Sequence, residues 1–310
     1  MFQTIVKIFL LVIITAAITP FIRKLAFVLG AVDNPNARRI NKKPMPTIGG
    51  LAIFVAFNIG EFVLLRKDFP THELFSVLLA SSVIILTGLI DDILELKPRQ
   101  KMFGIFVASL VVYFLAGIKV RELSLPFLGH IQLGWWSFPL TIFWILALTN
   151  AVNLIDGLDG LAGGLSALAF MAYGVIAWGT TWLSGYQDIA IFSFVLVGSL
   201  IGFLFFNAYP AKVFMGDTGS LALGAALATI AILTRHEMSL ILIGGVFVVE
   251  TLSSLIQIIA IRKFHTKVFK KAPLHHHFEE LGWTETDIVI IFWTAGFLLS
   301  MIGIIYGVWL

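Results

Sequence analysis

The sequence predicts an all-α membrane protein with ten transmembrane helices. Three observations predict it. First, 59% of the 310 residues are hydrophobic and only 13% are Asp, Glu, Lys or Arg, against roughly 25% charged in an ordinary soluble domain. So few charges exclude a soluble globular protein, a disordered chain and a nucleic-acid-binding module. Second, long continuous apolar runs recur between polar clusters, as helices in lipid require and a β-barrel's alternation does not. Third, the basic residues gather in alternate loops.

The apolar runs are 4–28, 48–66, 74–90, 102–117, 135–152, 163–183, 188–206, 218–235, 239–261 and 286–309. Run 4–28 reads as a retained helix, being too long for a signal peptide and lacking a small-x-small cleavage site before Pro20. Segment 118–134 alternates in part and holds a Leu-Gly turn, which predicts a short hairpin lying on the membrane. No internal repeat is evident, so residues 1–310 read as one integral membrane domain. The absence of cysteine excludes disulfides, thiolate metal sites and a thiol nucleophile.

The side that holds the loops after runs 1, 3, 5, 7 and 9 carries 15 of the 21 Lys and Arg residues, counting Arg23 and Lys24 near the end of run 1. The positive-inside rule makes that side cytoplasmic and puts both termini outside. The unusual polar residues share the same side, which places the expected cleft on the cytoplasmic face. Five carboxylates, Asp91, Asp92, Asp156, Asp159 and Asp217, sit near expected helix ends. A carboxylate at a membrane boundary is costly unless paired and marks function by default. Oxygens converging from several helices, with no thiols, suit a hard cation such as Mg²⁺. Mg²⁺ works with phosphate, and Lys42, Lys43, Arg99, Lys101 and Lys212 are candidate anion clamps. Gly157 and Gly160 flank Asp159, and Gly216 and Gly219 flank Asp217, where close backbone approach to a ligand is useful.

Each motif has a plainer reading. Asp217 can be the N-cap of its helix, Asp91-Asp92 a helix end, and Asp156 and Asp159 turn residues. Lys42 and Lys43 can serve topology, and Phe214 can be packing. Glu250, inside run nine, reads as an interhelical hydrogen-bond partner, with an ion pathway as the alternative. His275, His276 and His277 would spread through about 200° of a helix, so they cannot all ligate one ion. One or two are expected to meet phosphate or organise the site. A secondary transporter is the reading from another class, but it needs carboxylates near mid-membrane in several spans, and Glu250 is the main one.

Together the loops resemble those of the polyprenyl-phosphate N-acetylhexosamine-1-phosphate transferases. The resemblance rests on Asp91-Asp92, NAVNLIDGLDGLAGG (150–164) and FNAYPAKVFMGDTGS (206–220). In the second half, GGVFVVETLS (244–253) and APLHHHFEELGW (272–283) look like the branch that uses UDP-MurNAc-pentapeptide. In the first half, DNPNARR (33–39) and DDILELKPRQK (91–101) look like the branch that uses UDP-GlcNAc for teichoic acid or O-antigen carriers. The usual first-loop His of that branch is Asn41 here, and Arg99 stands where Lys is common.

The resemblance implies a Mg²⁺-dependent enzyme of a bacterial-type plasma membrane, surrounded by membrane lipid. It would transfer a phosphosugar from a UDP-activated N-acetylhexosamine to undecaprenyl phosphate and release UMP. UDP-MurNAc-pentapeptide is the favoured donor, and lipid I for peptidoglycan the favoured product. It further implies Asp91 and Asp92 as catalytic residues and Asp217 as metal ligand. Asn153, Asp156, Gly157, Asp159 and Phe214 would hold the nucleotide. Lys42, Lys101, His275 and His276 would lie on the phosphate and sugar side. A homodimer is also suggested.

Overall fold

The computed structural model describes residues 2–34, 43–64, 71–125, 129–179 and 186–309. Lys42 lies outside these residues. The elements run α1 (Phe2–Leu29), β1 (Val32–Asp33), β2 (Met45–Pro46), α2 (Gly50–Leu64), α3 (Thr71–Leu94), α4 (Pro98–Phe114), β3 (Glu122–Leu125) and β4 (Gly129–Gln132). They continue with α5 (Ser137–Ile155), α6 (Leu161–Gly179), α7 (Tyr186–Asn207), α8 (Gly216–Leu233), α9 (Leu240–Ile243), α10 (Gly245–Phe264), α11 (Leu274–Glu279) and α12 (Glu285–Trp309). Within the described residues, nine of the ten apolar runs each fall on one helix. Among the described residues, seven helices are long and apolar enough to cross a membrane: α1, α5, α6, α7, α8, α10 and α12.

Two details differ from expectation. Run nine is divided at Gly244 into the single turn of α9 and the long α10, because Gly244 leaves helical geometry (φ −93°, ψ 20°). The chain also forms a two-residue ribbon, β1 with β2, pairing Val32 with Pro46 and Asp33 with Met45. Ribbons this short carry no legible alternation. The expected hairpin is present as β3 and β4, paired in the register Glu122↔Gln132 to Leu125↔Gly129.

Lipid cannot satisfy backbone polar groups, so small hydroxyls return to the helix that carries them. Thr15 and Thr19 donate to the carbonyls of Leu11 (2.8 Å) and Thr15 (2.7 Å), next to Pro20 inside α1. The centre of the bundle is α6, α7 and α8. In the apolar stretch of α8, 78% of residues are buried, against 22% in α1 and 28% in α12, which present most of their surface outward. Helix α8 packs on α2, α3 and α5. Its small residues, among them Ala222, Gly224, Ala225 and Ala228, let these neighbours approach closely, as membrane helix interfaces favour. This packing makes the N-terminus of α8 the meeting point of the chain's polar loops.

Candidate active site

Four helices deliver the central residues. The last turn of α3 carries Asp91 and Asp92, and the first turn of α4 carries Lys101. The last turn of α5 carries Asn153, and the first turn of α8 carries Asp217 and Ser220. Asp91 and Asn153 were expected in loops. The helices run on through them, so their direction is set by rigid elements.

Asp92 closes the N-terminus of α8. Its Oδ1 accepts from the Asp217 N–H at 2.9 Å. Its Oδ2 accepts from the Thr218 N–H at 2.9 Å and from the Thr218 hydroxyl at 2.6 Å. The first amides of any helix lack partners within the helix, and an acceptor there is worth about 0.5–2 kcal/mol. Here the acceptor comes from another helix, so the plainer reading of Asp217 as its own helix's cap is not what the structure shows. Gly216 makes the arrangement possible. It has φ +69°, and a Cβ there would lie 2.7 Å from Asp92 Oδ2.

Released from capping, the Asp217 side chain turns into the cluster. Its Oδ1 accepts from Asn153 Nδ2 at 2.9 Å, and Asn153 Nδ2 also reaches Ser220 Oγ at 2.8 Å. Its Oδ2 pairs with Lys101 Nζ. The same ammonium pairs with Asp91 Oδ2 at 2.7 Å, while Asp91 Oδ1 accepts from the Leu96 N–H at 2.7 Å. A lysine in the first turn of a helix opposes the helix dipole. Two carboxylates compensate it here.

The loop between α5 and α6 joins this cluster. Asp159 Oδ2 accepts from the Ala211 N–H at 2.8 Å, and the Asp159 N–H donates to Glu285 Oε1 at 2.6 Å. The loop is thereby tied both to the segment before α8 and to the start of α12. Burial pushes the Asp159 carboxyl above its ordinary range, and the bond from Ala211 works against that shift. Burial, and then the negative charges of Asp217, Asp92 and Asp159, push the Asp156 carboxyl well above its ordinary range. Five carboxylates therefore share one electrostatic neighbourhood, and Lys101 is the cation bonded to it among the described residues.

The donor set suits a hard divalent cation: it is all oxygen, surplus in negative charge, and already wraps a cation in Lys101. Asp91 and Asp217 are the carboxylates that converge on one point. No group of three or more carboxylate or imidazole residues does so among the described residues.

The three histidines take three separate partners, as their spacing predicts. His275 is 1% exposed. Its N–H donates to Glu250 Oε1 at 3.0 Å, and its Nδ1 lies 3.3 Å from Glu250 Oε2. This bears out Glu250 as an interhelical hydrogen-bond partner. His276 Nδ1 meets Glu279 Oε2 at 2.5 Å, and burial lowers its pKa. His277 Nδ1 accepts from the Lys270 N–H at 3.1 Å. Gly157 lies against His275, where a Cβ would come within 2.7 Å of Nε2.

The structure thus brings Asp91, Asp92, Lys101, Asn153 and Asp217 together, and separately joins Gly157 to His275. Lys101 falls among the carboxylates rather than with the histidines. Phe214 is half-buried, and its backbone bonds to Pro46 and Gly49 hold it beside α2. Sequence reasoning missed Thr218, Ser220 and Glu285. Glu285 had a weak signal, as a carboxylate opening an apolar helix, but its partner lies 126 residues away.

The fold and the cluster define a multi-pass helical membrane protein with carboxylates from several helices gathered at one end. Residues 74–235 match glycosyl transferase family 4. The chain is 41% identical to the phospho-N-acetylmuramoyl-pentapeptide-transferase of Bacillus velezensis, over 100% of this chain and 98% of the relative. It is 40% identical to that of Bacillus subtilis and 42% to that of a Geobacillus species, in both cases over 96% of this chain and 95% of the relative. The chain belongs to glycosyl transferase family 4, among the polyprenyl-phosphate N-acetylhexosamine-1-phosphate transferases that its loops resemble.

Proposed function

We propose that this protein transfers phospho-MurNAc-pentapeptide from UDP-MurNAc-pentapeptide to undecaprenyl phosphate, forming lipid I and releasing UMP. The observation that carries the chemistry is the cluster Asp91–Lys101–Asp217–Asn153, assembled from four helices with Asp92 holding the backbone beneath it. Full-length identity of 40–42% to phospho-N-acetylmuramoyl-pentapeptide-transferases supports the choice of donor.

The acceptor phosphate attacks the β-phosphorus of the donor. A bond from that phosphorus to the acceptor oxygen forms, the bond to UMP breaks, and UMP departs. Such reactions need alignment and charge neutralisation more than covalent help from the protein. The second pKa of a phosphate monoester lies near about 6, so the nucleophile is largely ionised at neutral pH without a strong base. Asp91 and Asp217 are the residues that would hold Mg²⁺, which when bound offsets charge on the diphosphate. Asp91 faces the acceptor side and keeps Lys101 in place. Asp92 acts through α8 by fixing the backbone that carries Asp217. Asn153 orients Asp217, and the loop Asp156–Gly157–Asp159 with Phe214 receives the nucleotide. His275 and His276 lie toward the diphosphate and sugar, and Lys42 contributes a further cation from the first loop.

The distribution of Lys and Arg supports ten membrane crossings, with the cluster on the cytoplasmic face and both termini outside. Residues 1–310 act as one transferase domain, and two chains associate as a homodimer. The test offers purified protein undecaprenyl phosphate with either UDP-MurNAc-pentapeptide or UDP-GlcNAc and measures UMP. Release with the first donor is expected. Release with UDP-GlcNAc alone would move the protein to the branch that its residues 33–39 resemble.

A further inference from the structure

Glu250 is a carboxylate inside the long apolar helix α10, and it is 1% exposed. A buried carboxylate is costly unless its oxygens are used. Both are used on one residue. Oε1 takes the backbone N–H of His275 in the first turn of α11, and Oε2 faces His275 Nδ1. Capping one amide would need only a serine or an asparagine. The second oxygen does something else, because it selects which ring nitrogen carries a proton.

His275 Nε2, on the other side of the ring, is enclosed and has no hydrogen-bond partner among the described residues. It lies against Gly157, where a Cβ would come within 2.7 Å of it, so the ring packs on the glycine backbone of the loop between α5 and α6. The other groups facing this imidazole are the His276 ring, with centroids 4.2 Å apart, and behind it Glu279 and Lys271.

We infer that Glu250 is a positioning residue: it holds the His275 ring with Nδ1 protonated and Nε2 aimed across Gly157 at the donor's diphosphate. The inference rests on the transfer reaction proposed above. With Glu250 as partner, Nδ1 is a donor, and Nε2 presents a lone pair when the ring is neutral or a second N–H when it is charged. A phosphate oxygen selects the second state. Glutamine at position 250 reverses this. Its single oxygen accepts the His275 N–H, and its NH₂ then faces Nδ1, which must become the acceptor. The side chain keeps its shape, and the imidazole loses access to the doubly protonated form.

The test uses the full-length protein in lipid nanodiscs with ¹⁵N-labelled histidine, the His275 signals being assigned by their loss in His275→Gln. Wild type is expected to show a protonated Nδ1 at His275, and Glu250→Gln an unprotonated one. The expected kinetic effect of Glu250→Gln is a fall in kcat of about 10- to 100-fold, the scale seen when an imidazole loses its orienting partner. The KM for UDP-MurNAc-pentapeptide and the thermal midpoint should change little. An unprotonated Nδ1 in wild type, or wild-type kcat in Glu250→Gln, overturns the inference. The wild-type spectrum decides the matter even where the variant does not fold. Wild-type protein that releases no UMP from either donor would instead remove the transfer reading, and would leave the ring orientation standing.

Discussion

Both ends of the helix bundle collect charged residues, but they bond them differently. At the end where α3, α5 and α8 meet, Asp92 reaches Asp217 and Thr218 across 125 and 126 residues of sequence, and Asn153 reaches Asp217 across 64. At the opposite end, beside the β3–β4 hairpin, Glu122 bonds Gln132 on the neighbouring strand, and Arg235, its side chain 69% exposed, stands 3.5 Å from Glu122. A cavity of about 310 Å³ opens there, lined by Ile118, Arg121, Glu122, Phe192, Leu233 and Glu237. The carboxylates of the cluster at the other end do not line this cavity. The carboxylates at the proposed site are locked by bonds from distant helices, and such bonds fix geometry. Arg235 and Glu122 are also far apart in sequence, but their ion pair is long and its arginine exposed, so it fixes little.

The comparison can be broken first at Asp217. Replacing it with Asn should reduce UMP release by roughly 100- to 1,000-fold, the scale of losing one charge-stabilising group, while the thermal midpoint stays near wild type. Asp92→Asn should come next, and it should act on stability as well. One acceptor becomes an NH₂ facing the N–H groups of α8, at a cost of about 1–3 kcal/mol for unsatisfied buried donors. A lowered thermal midpoint together with reduced turnover is expected. Full turnover in either variant would mean that the reacting end has been misassigned.

Glu237 sharpens the contrast from the other side. Burial holds its carboxyl up at about 7 from an ordinary 4.5, with no role in the cluster. A raised pKa means that the folded state binds the proton more tightly. The resulting stabilisation is complete below pH 4.5 and is lost as pH rises through about 7. Glu237→Gln should therefore raise the thermal midpoint at pH 8 and change it much less near pH 5, with UMP release unaltered. The smallest effect belongs to Arg235→Gln. An exposed ion pair contributes about 0–1 kcal/mol, so stability and turnover should both remain near wild type.

Much of this contrast was legible before any coordinates. Lipid forces helices to declare themselves as apolar runs, and the motif residues fall at the ends of those runs. The hairpin was legible from its alternation and turn. The division of labour among the carboxylates was not. Adjacent Asp91 and Asp92 look equivalent in sequence, yet one pairs with an ammonium and the other caps a helix 125 residues on. Thr218 carries no local pattern and Glu285 only a weak one, since their roles come from which helix ends meet. Glu250 was legible as a polar residue in an apolar run, and its partner became evident only when α11 folded back over α10. The break at Gly244 is likewise a matter of packing, because glycine in a membrane helix is common and does not by itself announce a bend.

The cap that α3 places on α8 also bears on how the protein is made. A chain emerging from the ribosome delivers Asp91 and Asp92 early and Asp217 much later. Until the eighth helix has entered the bilayer and docked, Asp92 has no amides to hold and Lys101 has only one of its two carboxylates. The cluster is therefore assembled only once α3, α4, α5 and α8 are all in place.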